Sequence, residues 1–297
     1  MKIKKWPVLV SMALGGVMLF GAAFASASGS TGYDVYKSAL KNTATATSMT
    51  TQVQVAISDN GSTVMNVDGT AKMDQGSKAM SSLFTITGGD KSLTMEAYHQ
   101  DGKIISKSSA SDVYYVMERN SGLKPQQEMD KATVKGKYAQ DVENLIDTVV
   151  GDIKNYTVVN ANADGSQEVS LQLSSNQIPA TANAFASLAI KSASQEGWGH
   201  GRSTVDGDLF TALPKLVDGI SITNVDIKAV VDAQDMIQSQ EVNITITGQD
   251  ASGANHNVVV NAKLNLSNIN QTTPDTIDLT GKQVNTLQPR NRGVAGH

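Results

Sequence analysis

Asn257-Val258-Val259-Val260-Asn261-Ala262-Lys263-Leu264-Asn265-Leu266 decides the fold. Val258, Val260, Ala262, Leu264 and Leu266 fall on one side of an extended chain, opposed by Asn257, Asn261, Lys263 and Asn265. A period of two is that of a strand whose sheet has one covered face and one wet face. The run follows Asp250-Ala251-Ser252-Gly253, a turn, and the same alternation precedes that turn. Val242, Ile244 and Ile246 alternate with Glu241, Asn243 and Thr245. Val225, Ile227, Ala229 and Val231 alternate with Asn224, Asp226 and Lys228.

The same reading extends toward the N-terminus. Val53, Val55 and Ile57 alternate with Gln52, Gln54 and Ser58, and Asn60-Gly61 tolerates the positive φ of a tight hairpin. Further strands are predicted at 63–73, 78–87, around Leu93–Ala97, at 103–108 after the Asp101-Gly102 turn, and at 113–118. Two more lie around 156–160 and 168–173, joined through Asp164-Gly165. Short strands joined by Asn-Gly and Asp-Gly turns predict an antiparallel meander, not a parallel βαβ sheet. Helices are predicted at 33–46, at 138–151 and at 180–193, with a shorter one at 209–217 limited by Pro214. In the second of these, Val142, Leu145, Ile146, Val149 and Val150 form one apolar stripe. Residues 120–136 and 196–207 are predicted loops.

The predicted fold is therefore α+β. It is a single large curved antiparallel sheet, a half-barrel of about eleven strands, with helices packed on its concave face. Two α+β domains with a break near 120–136 are the rival. The continuous sheet is preferred because the last three strands alone would bury little area. The domain plan is 1–27 signal peptide, 28–274 β-rich domain and 275–297 weakly structured tail.

Lys2, Lys4 and Lys5, the uncharged run Val8–Phe24 and the small residues Ala25-Ser26-Ala27 have the pattern of a secretory signal. An uncleaved membrane anchor is the alternative, since the run of 17 is near the lower limit for spanning. Cleavage would leave no stable membrane span and would move the formal charge from −4 to −7. The expected location is bacterial, secreted or associated with the cell envelope. A chain with 24 basic and 28 acidic residues lacks the basic surplus of a nucleic-acid binder. It has no cysteine, which excludes disulfides, thiolate metal sites and a lipid-anchored N-terminal cysteine.

The helix Tyr33-Asp34-Val35-Tyr36-Lys37-Ser38-Ala39-Leu40, the strand ladder, the central helix and the closing ladder Val225–Leu266 together resemble the lipoprotein-carrier family of LolA, LolB and LppX type. They also resemble secreted Gram-positive proteins of unassigned function with that pattern. The resemblance covers most of the chain after residue 27 and rests on element order. It implies a half-open β-barrel with helices over an apolar cavity that binds acyl chains of lipids or lipoproteins.

Composition points the same way. The helix at 180–193 carries six alanines and fills little volume, and aromatic residues make up only 5% of the chain. Met65, Met73, Met80, Met95 and Met117 supply adaptable side chains in the N-terminal ladder. The expected ligand-lining residues are Leu145, Ile146, Val149, Phe185 and Leu188, with Met95 and Met117, and Trp198 at the mouth. The expected function is a non-enzymatic binding protein, a carrier or envelope sensor for a lipid or other amphipathic ligand. Partners are a lipid or lipoprotein acyl chain or a cell-envelope protein. The alternative is an extracellular structural or interaction module with a filled core.

Catalytic patterns are fragmentary. Ser38-Ala39-Leu40-Lys41 and Ser58-Asp59-Asn60 match two motifs of penicillin-recognising enzymes, but no Lys-Thr-Gly triplet accompanies them. Asn160 to Gly165 resembles the start of a calcium loop, but position 12 is Leu171 instead of a bidentate carboxylate. His99, His200, His256 and His297 are scattered. No catalytic residue, metal site or cofactor is therefore expected.

Overall fold

The computed structural model describes residues 31–118, 156–196 and 209–287. Helix α1 (Thr31–Thr43) leads into six strands: β1 (Ser48–Asp59), β2 (Ser62–Asp74), β3 (Ala79–Gly88), β4 (Lys91–Gln100), β5 (Lys103–Ser108) and β6 (Val113–Glu118). Next come β7 (Thr157–Ala161), β8 (Gln167–Ser174) and helix α2 (Ala180–Glu196). A single 3-10 turn (Phe210–Ala212) precedes β9 (Asp218–Val231), β10 (Ile237–Gln249), β11 (Asn255–Ser267) and β12 (Gln283–Leu287). The predicted signal segment, the helix at 138–151, the loop at 120–136 and residues 197–207 of the second predicted loop lie outside the described residues, and Glu196 ends α2.

All twelve described strands form one open, curved sheet in the order β12-β6-β5-β4-β3-β2-β1-β11-β10-β9-β8-β7. Every pairing is antiparallel except β12 with β6. Two meanders, β1–β6 and β7–β11, meet where β1 pairs with β11, Thr50 opposite Ser267 through Asp59 opposite Val258. One sheet thus takes strands from both sides of the segment proposed above as a domain break. The hairpins close as their sequences require: Asn60 and Gly61 have φ of 50° and 85°, the positive values of a type I′ turn.

The alternation becomes a two-faced sheet. Val53, Phe84, Leu171, Ile227, Val242 and Leu264 share a core with Tyr33 and Tyr36 of α1, which defines the inner face. Helix α1 lies across β7 to β10, whereas α2 packs chiefly on β9. The end of α1 is tied to the β9–β10 hairpin, because Ile237 N–H donates to Thr43 Oγ1 at 2.9 Å. Tyr36 donates its hydroxyl to Gln240 Oε1 at 2.9 Å, giving a buried phenol and a buried amide each other's company. At the centre, Gly69 leaves room for the ring of Phe84 to lie on its backbone, since a Cβ there would stand 2.1 Å from Phe84 Cδ1.

The described strands number twelve, in keeping with the expected count of about eleven, and residues 283–287 of the tail supply β12, which pairs Gln283 with Val113 through Leu287 with Met117. That tail is held from the outer face. Gln100 and Ile277 exchange two hydrogen bonds, Nε2 to the carbonyl at 2.9 Å and N–H to Oε1 at 2.8 Å. Ile277 and Leu279 cover Ile105, Tyr114 and Val116, and Lys72 pairs with Asp275 at 2.7 Å. The helix expected at 209–217 shrinks to one 3-10 turn. Leu213 is extended (ψ 133°), as a residue before proline prefers. Leu188, expected on the buried side of α2, is 64% exposed. Ala182 and Ala186, four apart, are the side chains that α2 lays on the core, and Leu188 is about 200° around the helix from Ala186.

Candidate functional site

Antiparallel register converts the inner face of the N-terminal meander into rows that cross the strands. One row holds Val53, Gly69, Phe84, Met95 and Ser108. Its neighbour holds Thr51, Ala71, Ser82, Ala97, Ser106 and Tyr115. The next holds Met73, Met80, His99, Ile104, Met117 and Leu287. The middle row is made of small side chains, two alanines and two serines, across β2 to β5, between rows that carry Phe84, Met95, Met73, Met80, Ile104 and Met117 together with Gly69, Ser108 and His99. It forms a trough that ends on Tyr115. Four strand gaps of about 4.8 Å give the stretch from β2 to β6 a width of about 19 Å.

The trough is accessible. Met80 is 42% and Ile104 38% exposed, unusual for large apolar residues on the core face of a sheet. Met95 and Met117 are half-buried on its two flanks. The inner face of the other meander is different. Beneath α1, between Tyr33, Tyr36, Val169, Leu171, Ile227 and Ala229, the void is about 20 Å³. That is about the space one water needs, so the helix packs closely on β7 to β9 there.

Among the expected lining residues, the fold places Met95 and Met117 on the flanks of one trough. Phe185 belongs to α2 and Leu188 points away from the core on the same helix. Leu145, Ile146, Val149 and Trp198 lie outside the described residues. The small-residue row of Ala71, Ser82, Ala97 and Ser106 was not anticipated. The signal for it is the Asp101-Gly102 turn, whose two-residue loop fixes the β4–β5 register and so brings Ala97 opposite Ser106.

A second cluster sits at one end of the β1–β11 seam. His256 Nδ1 is 2.7 Å from Asp59 Oδ2, and its Nε2 is 3.5 Å from Asp250 Oδ2. The hydrogen bond to Asp59 is the main cause that raises the His256 pKa above its ordinary value, against a smaller desolvation effect. Asp250 is itself held down to about 2, chiefly by the Ser252 hydroxyl and then by the Ala254 N–H. Among the described residues, no group of three or more side chains has the geometry to hold a metal ion.

Ser38 and Lys41 are both exposed on α1, and Ser58-Asp59-Asn60 runs into the β1–β2 hairpin. Asn160 to Gly165 ends β7 and forms the β7–β8 turn, where Asp164 Oδ1 accepts hydrogen bonds from the Ser166 N–H at 3.0 Å and hydroxyl at 2.7 Å. His99 lies half-buried in the trough flank, and His200 and His297 lie outside the described residues. The outer face carries an open groove of about 380 Å³, lined by Gln52, Gln54, Asp68, Thr70, Leu83, Thr85 and Asn265. Among the described residues, no helix is long and apolar enough to cross a membrane.

Fold and site together define an open, curved, mostly antiparallel sheet with helices on one face and a row of small side chains beside them. Among solved structures, the chain is similar to a LolA superfamily protein, NE2245 from Nitrosomonas europaea, at 8% identity over 85% of this chain and 97% of that one, with a TM-score of 0.17. It is also similar to a beta-barrel-like protein of a domain of unknown function, DUF1849, from Brucella abortus, at 11% identity over 75% and 99%, with a TM-score of 0.16. No protein-family model matches the chain, and no curated protein matches it.

Proposed function

We propose that this protein is a secreted, non-enzymatic binding protein that holds an acyl chain or similar amphipathic ligand in the inner trough of β2 to β6. The observation that carries the reading is the row Ala71, Ser82, Ala97 and Ser106, set between flanks whose Met80 and Ile104 stay exposed. Small side chains leave depth, and methionines adapt to a flexible chain. Each methylene buried there contributes about 0.8 kcal/mol, so partial insertion of a long chain gives useful affinity. Mechanism is then burial and release, with no covalent step. The N-terminal Lys2–Ala27 pattern supports export, and a LolA-type lipid or lipoprotein carrier is the family reading that element order supports.

The test is native mass spectrometry after gentle purification, followed by titration with a fluorescent long-chain fatty acid. Ala97→Leu fills the trough floor and is expected to weaken uptake at least about tenfold, about 1.4 kcal/mol, without lowering the melting temperature. Clean apo protein that takes up no fatty acid would refute the carrier reading. A second reading, an extracellular interaction module, is supported by the filled space under α1 and by the polar outer groove. Loss of binding to envelope fractions on Leu83→Asp, with no effect of Ala97→Leu, is the result expected from it.

A further inference from the structure

We propose that a proton held on His256 latches the seam between the two meanders, so that this end of the sheet loosens when the proton is lost. The seam joins strands about two hundred residues apart in sequence, and no turn connects them. Its two ends are closed by different means. At one end Asn270 N–H donates to the Ser48 carbonyl at 2.7 Å, and Thr50 and Thr272 share a buried hydroxyl pair at 2.9 Å. Both of these links join neutral groups, with the Lys72–Asp275 ion pair nearby on the outer face. At the other end Asn60 and Asn257 are joined by two hydrogen bonds, Asn60 N–H to the Asn257 carbonyl at 3.0 Å and Asn257 N–H to Asn60 Oδ1 at 3.0 Å. His256 stands next to them and is the only ionisable link across this end among the described residues.

The imidazole reaches three elements at once. It belongs to β11, its Nδ1 meets Asp59 at the end of β1, and its Nε2 faces Asp250 in the β10–β11 turn. Those two carboxylates are the charged groups that act on it from the elements packed around it. Two buried atoms of the cluster, Asp59 Oδ1 and His256 Nε2, have no hydrogen-bond partner. A protonated ring donates from both nitrogens and places a cation between two anions. A neutral ring keeps one donor and leaves one carboxylate facing a lone pair in a mostly buried site. The protonated form is therefore the one the folded geometry favours. Asp250 is already satisfied by Ser252 and Ala254, so the turn is pre-shaped and the His256 contact only docks it onto β1.

The direction of the linkage follows. Because folding raises the affinity of His256 for a proton, the stabilisation is complete below the ordinary histidine value and is lost as pH rises through the folded value. The experiment uses the full chain and follows the His256 imidazole by NMR from about pH 5 to about pH 9, a span that brackets ordinary histidine titration. Hydrogen exchange at the Asn60 and Asn257 amides is read in the same samples and corrected for intrinsic rates. The expected result is a His256 midpoint above its ordinary value, lowered more by Asp59→Asn than by Asp250→Asn. Protection at Asn60 and Asn257 should fall several-fold through that midpoint, while Asn270 and Thr272 stay unchanged. His256→Gln should flatten the pH dependence at Asn60 and Asn257. A midpoint at or below the ordinary value overturns the latch, and so does protection that stays flat or falls equally at both ends of the seam. These readouts need only the wild-type chain should the variant fail to fold.

Discussion

Gly69 and Phe84 show how much one missing side chain decides. The ring occupies the place a Cβ would take, and Phe84 is only 2% exposed, so it has nowhere to retreat. Gly69→Ala is expected to cost about 1–3 kcal/mol by overpacking, read as a lower urea midpoint with an unchanged slope. Asp250 gives a prediction of opposite origin. Its folded value near 2 lies below the ordinary carboxylate value of 3.8, so its contribution is present above 3.8 and disappears as pH falls through about 2. Thermal scans of wild type and Asp250→Asn should diverge above that window and converge at its acid end. Neither effect was legible in the sequence. Gly69 interrupts an alternating strand without announcing what lies on it, and Asp250 looks like any turn aspartate until its partners are in place.

At the level of elements, what could be read locally was read well. Strands β1 to β6 and β9 to β11 alternate over enough residues to declare themselves, and Asn60-Gly61 and Asp101-Gly102 close two of their hairpins. Element β12 could not be found this way, because five residues with four exposed positions carry no periodic signal. It exists because Ile277 and Leu279 anchor the preceding segment on Ile105, Tyr114 and Val116. Removing everything after Lys282 should therefore change the melting temperature little. Ile277→Ala with Leu279→Ala strips half-buried apolar area from both anchors and is expected to cost roughly 2–3 kcal/mol by the area burial of two aliphatic side chains. Calorimetry of the two variants separates strand from anchor. The trough was partly legible for a similar reason. Methionines could be counted, but which small residues lie side by side depends on register across five strands.

Across the whole molecule, the decisive contact is the one that no local pattern encodes. Strand β1 must find β11 across nearly the whole described chain, a highly non-local pairing that makes folding slow for the size of the domain. Each half made alone would expose a long unpaired edge, and such edges aggregate. We expect residues 31–155 and 156–297 to be insoluble when produced separately and to form a soluble one-to-one complex when produced together, measured by size-exclusion chromatography with light scattering. Two independently soluble halves that ignore each other would argue that the seam contributes little.

The parallel pairing of β12 has a practical corollary. Leu287 runs alongside Met117 and shares the flank that Met80 and Ile104 also line. Since the chain contains no cysteine, a lone thiol introduced at position 287 accepts a solvatochromic dye without competing attachment points. Such a conjugate would carry its own gauge of polarity at the lip of the hollow, turning occupancy into a colour change.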